Sequence, residues 1–270
     1  MQQPTFEELL EAGVHLGHLK RKWNPLMSQY IFGVRNGIHI IDLHKTLVKL
    51  EEASKAIQQI AKSGKKILFV ATKKQAKEIL EEKLAGLGMP YVTERWSGGM
   101  LTNFATIRRS IKKMHTLEKM FKDGTADTLS KRERLQLQRQ KEKMERLFGS
   151  IVDMTKIPSA IFVIDLKKEA TAIKEAKKLG IPVFGMVDTN VNPGEVDFPI
   201  PANDDVVASI DKIVSIVTQA IALGLEEKKA NTSKDEAEEN AENVNEATHT
   251  EAKPAPRTRK KRTESRPEQN

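Results

Sequence analysis

Asp165, Asp188, Asp204 and Asp205 each stand at or just beyond the end of a short apolar run, where a parallel α/β sheet would gather them at its carboxyl edge. A magnesium-dependent phosphoryl-transfer site sits at that place in such folds, although loop acids also serve simply as caps and turn formers. A second constellation is Arg95-Trp96-Ser97-Gly98-Gly99-Met100-Leu101-Thr102-Asn103. Paired glycines let backbone approach a ligand, Arg95 can fork onto phosphate, Trp96 can stack, and Thr102 or Asn103 can cap a helix whose N-terminus attracts anions. A strand end, a flexible turn and an N-cap explain the same residues without a ligand. The third is GVHLGHLKRKWNP, Gly13 to Pro25. His15 and His18 could share a face and bind a metal, but no third ligand is near in sequence, and packing is the simpler role. Lys20, Arg21 and Lys22 beside Trp23 suit a phosphate contact with an amphipathic anchor, or else a solvated charge run.

Other chemistries have no carrier. The chain has no Cys, so disulfides, thiolate metal sites and cysteine nucleophiles are excluded. It shows no GxGxxG, HExxH or GxSxG, and its one Gly-Lys pair, Gly64-Lys65, lacks the flanking residues of a phosphate loop. The start, MQQPTFEELLEAG, is acidic with no apolar core, and no apolar run is expected to approach the roughly 18 residues of a membrane span, so a cytoplasmic chain without a membrane partner is expected.

The elements that must position these residues alternate. Thr5 and Glu8 form a capping box before a short amphipathic helix. Two strands, Tyr30 to Gly33 and Ile38 to Ile41, flank Asn36-Gly37, a hairpin signal, and Asp42 can cap a helix that stops at Ser63-Gly64. Buried-strand patterns recur at Lys66 to Ala71, Tyr91 to Thr93, Ala160 to Asp165 and Val183 to Val187, with helices predicted from Thr72 to Leu84 and Glu169 to Leu179. Phe198-Pro199-Ile200-Pro201 carries two prolines and belongs at a sheet edge or a strand end; after it Asn203 or Asp204 can cap a helix with apolar positions Val206, Ile210, Ile213, Val214, Val217, Ala220 and Ile221. The alternation predicts a doubly wound parallel sheet.

Residues 103–150 break it, with no strand signal. Phe104, Ile107, Ile111, Met114 and Phe121, then Leu137, Met144, Leu147 and Ile151, predict two helices folded as an inserted antiparallel coiled-coil hairpin. From Arg108 to Arg146 there are 13 Lys and Arg against 6 Asp and Glu, a surplus of 13 − 6 = +7 in a chain whose total is +8. Such localised charge favours a polyanionic partner. The expected domains are a globular α/β body, 1–102 with 151–227, the hairpin 103–150, and a disordered charged tail 228–270. That tail is acidic from Asn231 to Ala252, then basic from Lys253 to Arg266; the basic part could touch nucleic acid or pair with the acidic part.

Five stretches in order, GVHLGHLKRKWNP, LFVATKKQA, RWSGGMLTN, FVIDLKKE and PVFGMVDTNVNPGEVDFPIPANDD, resemble the bacterial small-subunit ribosomal protein S-two family over roughly residues 3–227. Ser97 and Met100 depart from its usual pattern of a larger apolar residue and a Thr. The resemblance implies a flavodoxin-like (Rossmann-like) sheet with helices on both faces and a protruding coiled-coil hairpin. It implies a non-catalytic protein that joins the small subunit late, binds 16S ribosomal RNA at the junction of head and body, and helps dock ribosomal protein S-one for translation initiation. Other small-subunit proteins would be its neighbours, and no cofactor, metal or small-molecule substrate is expected. By the same resemblance Lys20, Arg21, Lys22, Trp23, Asn24, Arg95, Asn103, Arg108 and Arg109 face RNA, and we extend that surface to Lys112 and Lys113.

Overall fold

The structure, a computed structural model, describes backbone for residues 4–250 and side chains through Asn231, Asp127 excepted. The described residues through Lys228 form one compact unit, and the helical backbone after it belongs to another. The first unit opens with α1 (Phe6–Glu11), where Thr5 and Glu8 complete the capping box reciprocally. β1 (Leu16–Leu19), β2 (Ile31–Arg35) and β3 (Ile38–Ile41) form a small antiparallel sheet in the order β1-β3-β2. Asn36 and Gly37, at φ 52° and 75°, supply the two left-handed residues that a tight hairpin turn needs. β1 was not expected from the sequence: its Leu-Gly-His-Leu lacks β-branched residues, and pairing with β3, irregular between Leu16 and Leu19, makes it a strand.

Asp42 accepts from His44 N and starts α2 (Leu43–Lys62). Then come β4 (Ile67–Val70), α3 (Lys74–Leu84), β5 (Tyr91–Val92), α4 (Phe104–Lys122), α5 (Lys131–Phe148), β6 (Ala160–Ile164), α6 (Ala170–Lys178), β7 (Val183–Val187), β8 (Phe198–Pro201) and α7 (Val207–Thr250). The helix expected from Thr72 starts two residues later, because Thr72 and Lys73 turn toward buried acids instead. The large sheet is wholly parallel in the order β5-β4-β6-β7-β8. Numbered from its first strand this is 2-1-3-4-5, the flavodoxin-like doubly wound order. Its inner strands are apolar without alternation because both faces are covered. Ile67, Phe69, Phe162, Phe184 and Met186 pack under α2, α3 and α7, while Leu68, Val70, Ile161, Val163 and Val183 pack under α6 and the root of α4 and α5. Pro199 and Pro201 do lie on the edge strand, β8.

The inserted segment is two helices that pack on each other. Ile107, Ile111, Met114 and Leu117 are the buried positions of α4, so Leu117 takes the place expected of Phe121, which is half-buried. A capping box between Ser130 and Glu133 opens α5.

The expectation that no apolar run nears membrane length is corrected by Val207–Asn231, a segment long and apolar enough to cross one. Its apolar face is packed against the sheet through Ile210, Ile213, Val214, Val217, Ala220 and Ile221, so it is a core helix. A Cβ at Gly224 would lie 2.5 Å from Gln58 O, closer than real Cβ atoms come, so glycine is what lets α7 approach α2 here. The backbone of α7 is helical as far as Thr250. The basic stretch Lys253 to Arg266 lies outside the described residues.

Candidate nucleic-acid interface

The sheet's carboxyl edge does gather the four acids, around a cation the sequence reading passed over. Lys73, just beyond β4, places Nζ 2.6 Å from Asp205 Oδ1, 2.8 Å from Asp204 Oδ1 and 3.5 Å from Asp165 Oδ2. Burial opposes its charge, and the hydrogen bonds to Asp204 and Asp205 overcome that and raise its pKa. Asp204 is 2% exposed. Burial, then the neighbouring Asp188 charge, push its carboxyl up to about 6 in spite of Lys73. Asp165 sits at φ 67°, a left-handed conformation that Asp tolerates, and its Oδ1 accepts from Lys168 N.

His18 closes the other side. Its Nδ1 lies 3.0 Å from Asp188 Oδ2 and its Nε2 3.5 Å from Asp205 Oδ2, and the bond to Asp188 raises its pKa despite partial burial. Asp188 Oδ2 nonetheless has no well-aligned hydrogen-bond donor. His18, Asp188 and Asp204 bring one ligand atom each within 4.8 Å of one another, so these three could hold a divalent cation. His15 is not among them; it lines an apolar groove with Phe6, Leu10 and Phe32. Asn203 turns the chain toward α7 by accepting from Asp205 N and Val206 N, which leaves Asp204 to Lys73.

The glycine turn after β5 is an anion cradle, and its anion is the chain's own. Glu175 of α6, 8% exposed, accepts from Trp96 Nε1 at 3.1 Å and Gly99 N at 2.7 Å through Oε1. Its Oε2 accepts from Leu101 N, Thr102 N and Thr102 Oγ1 at 3.0, 3.1 and 3.1 Å. Burial pushes this carboxyl up, and the donors outweigh it and hold the pKa below the ordinary value. The sequence carried one signal of this: a Glu interrupting the apolar stripe Ala172, Ile173, Ala176.

The eleven residues expected to face RNA fall in three places. Lys20, Arg21 and Lys22 form an exposed 3-10 turn after β1. Trp23, 37% exposed, stacks on buried His39 at 5.0 Å, and Asn24 donates its N–H to Thr189 O and caps the next 3-10 turn through Leu26 N. Arg95 is exposed beside a crevice of about 420 Å³ that Thr72, Trp96, Lys168, Glu169 and Thr171 also line. Asn103 holds the N-cap position of α4 without bonding a helix N–H; its Oδ1 accepts from Thr106 Oγ1. Arg108 Nη1 donates to Val152 O and Met154 O at 3.3 and 3.2 Å, tying α4 to the segment that leaves α5. Arg109, Lys112 and Lys113 are exposed, and their spacing puts them on one face of α4.

Comparison with known proteins agrees with this architecture. The family model described as "Ribosomal protein S2" matches residues 9–224. The chain is 60% identical over 241 residues to "Small ribosomal subunit protein uS2" of Parabacteroides distasonis, covering 89% of this chain and 87% of that one. It is 62% identical to the protein of the same description from Phocaeicola vulgatus (85% and 82% covered), and 60% identical to that of Flavobacterium johnsoniae (86% and 92%). The chain belongs to the ribosomal protein S2 family, cytoplasmic and non-enzymatic constituents of the bacterial small ribosomal subunit.

Proposed function

We propose that this subunit constituent binds 16S ribosomal RNA at the junction of head and body, with α4 and α5 acting as a coiled-coil arm laid against the RNA. The observation that carries the reading is the surplus of seven positive charges between Arg108 and Arg146, with Arg109, Lys112 and Lys113 exposed on one face of α4. Phosphate contacts from that face and from Lys20, Arg21 and Lys22 supply affinity, and the shape of the folded RNA supplies specificity. Trp23 and Asn24 brace the turn that presents the three cations. Arg95 and Asn103 belong to the same surface, and Arg108 serves it by fastening the arm.

Docking of ribosomal protein S-one rests on the family resemblance. An exposed apolar surface around Phe6, Leu10 and Phe32, the last 81% exposed, supports a protein partner there. Sedimentation of the tagged chain from lysate tests the RNA reading. At low salt it travels with small subunits, and removal of residues 112–146, which spares the buried Ile107, Ile111 and Phe148, releases it while the sheet stays folded. A deletant that sediments as fully as the intact chain would refute the arm.

A further inference from the structure

We propose that Glu175 is a positioning residue for RNA binding: by filling the cradle of residues 96–102 it fixes the root of α4, and with it the direction in which Arg109, Lys112 and Lys113 are presented. The inference rests on the reading of α4 as an RNA-facing arm. Five donors from four residues converge on this one carboxylate, two on Oε1 and three on Oε2. The last of those residues, Thr102, stands two positions before Phe104, the first residue of α4. Between them Asn103 N donates to Gly99 O at 2.8 Å, so the cradle runs directly into the helix. Across the root, Arg108 ties α4 to Val152 O and Met154 O, and Phe104, Ile107 and Phe148 join the apolar cluster beneath α6. The arm is therefore fastened to the body from both of its chain crossings, and Glu175 is the fastening on the entry side.

A carboxylate is needed because it only accepts. Gln offers one oxygen and one NH2, and whichever way it is turned the NH2 faces at least two of the five donors. The cradle then loses contacts and α4 gains freedom at its base. RNA contacts on the body and on the arm reinforce one another only while their separation is held, and a loosened root lowers the effective concentration of the second set.

The test is a double-mutant cycle on the full chain, with small subunits lacking this protein as the binding partner, below the unfolding temperature of every variant. Glu175→Gln is combined with the arm variant Arg109→Ala/Lys112→Ala/Lys113→Ala. Glu175→Gln should weaken binding about tenfold when the arm charges are present and not measurably when they are absent. A role confined to folding would lower binding by the same factor in both backgrounds; that result, or no weakening at all, overturns the inference and leaves the arm reading standing. An arm variant that binds like the wild type overturns the arm reading itself. Trp96→Phe removes one donor and serves if Glu175→Gln does not fold: a loss of about twofold, again confined to the charged arm, is expected, and equal losses in both backgrounds count against the proposal.

Discussion

The carboxyl edge of the sheet and the exposed face of α4 are both dense in charge, and they use it in opposite ways. At the sheet edge four acids share two basic groups, and each of the four lies within 3.5 Å of a nitrogen of Lys73 or His18 inside the molecule. On α4 the pairing is partial. Lys122 and His115 engage Glu118, whereas Arg109, Lys112 and Lys113 remain exposed cations on one face. Charge matched within the fold can hold loops in place at the cost of desolvation. Charge left exposed with one sign adds little to stability and is available to a polyanion.

The contrast is sharpest for Lys73→Met. Removing the cation leaves Asp204 buried beside Asp188 and facing Asp205, and should cost about 3–5 kcal/mol, read as a lower denaturant midpoint. A loss within the range of a surface substitution would mean the cluster is not held by Lys73. The second test is by pH. Asp204 titrates near 6 when folded against an ordinary 3.8, so it binds its proton more readily in the folded state. Its stabilising contribution is complete below 3.8 and is lost as pH rises through about 6. His18, also raised, adds a loss in the same sense above its ordinary 6.5, whereas Asp205, lowered, contributes in the opposite sense and only below 3.8. Asp204→Asn should therefore flatten the fall in stability between pH 4 and 6 by about 1–3 kcal/mol, measured as the unfolding midpoint against pH. An unchanged slope would remove Asp204 as its source.

On the arm the two neighbouring arginines should separate. Arg108→Ala breaks the tie to Val152 O and Met154 O and should cost about 1 kcal/mol of stability, whereas Arg109→Ala should change it by less than about 0.5 kcal/mol. Equal losses in thermal unfolding would mean that Arg108 is not a fastening.

Most of the fold was legible because apolar runs such as Ile67 to Val70 and Val183 to Val187 admit no other element, and because Asn36-Gly37 and the Thr5 and Glu8 pair encode their own local geometry. β1 was not legible, since Leu16–Leu19 becomes a strand only through its partner. In the site, the gathering of the four acids could be read from strand ends. Lys73 could not be singled out, because Thr72-Lys73-Lys74 reads as the start of an exposed helix until Asp204 and Asp205 arrive from more than a hundred residues away. The glycine turn reads in sequence as an anion site with Arg95 gripping and Trp96 stacking, but the donors are Trp96 Nε1, Thr102 Oγ1 and the backbone N–H groups of Gly99, Leu101 and Thr102. Which anion fills it depended on Glu175, brought there by tertiary packing alone.

The central claim is that the exposed cations of α4 bind RNA phosphate while the matched charges of the sheet edge do not. Its most direct measurement is the salt dependence of small-subunit binding by the Arg109→Ala/Lys112→Ala/Lys113→Ala variant. With three phosphate contacts removed, the slope of log affinity against log salt should flatten by about two to three units, and the unfolding midpoint should stay where it is. A slope identical to that of the wild type would contradict the account.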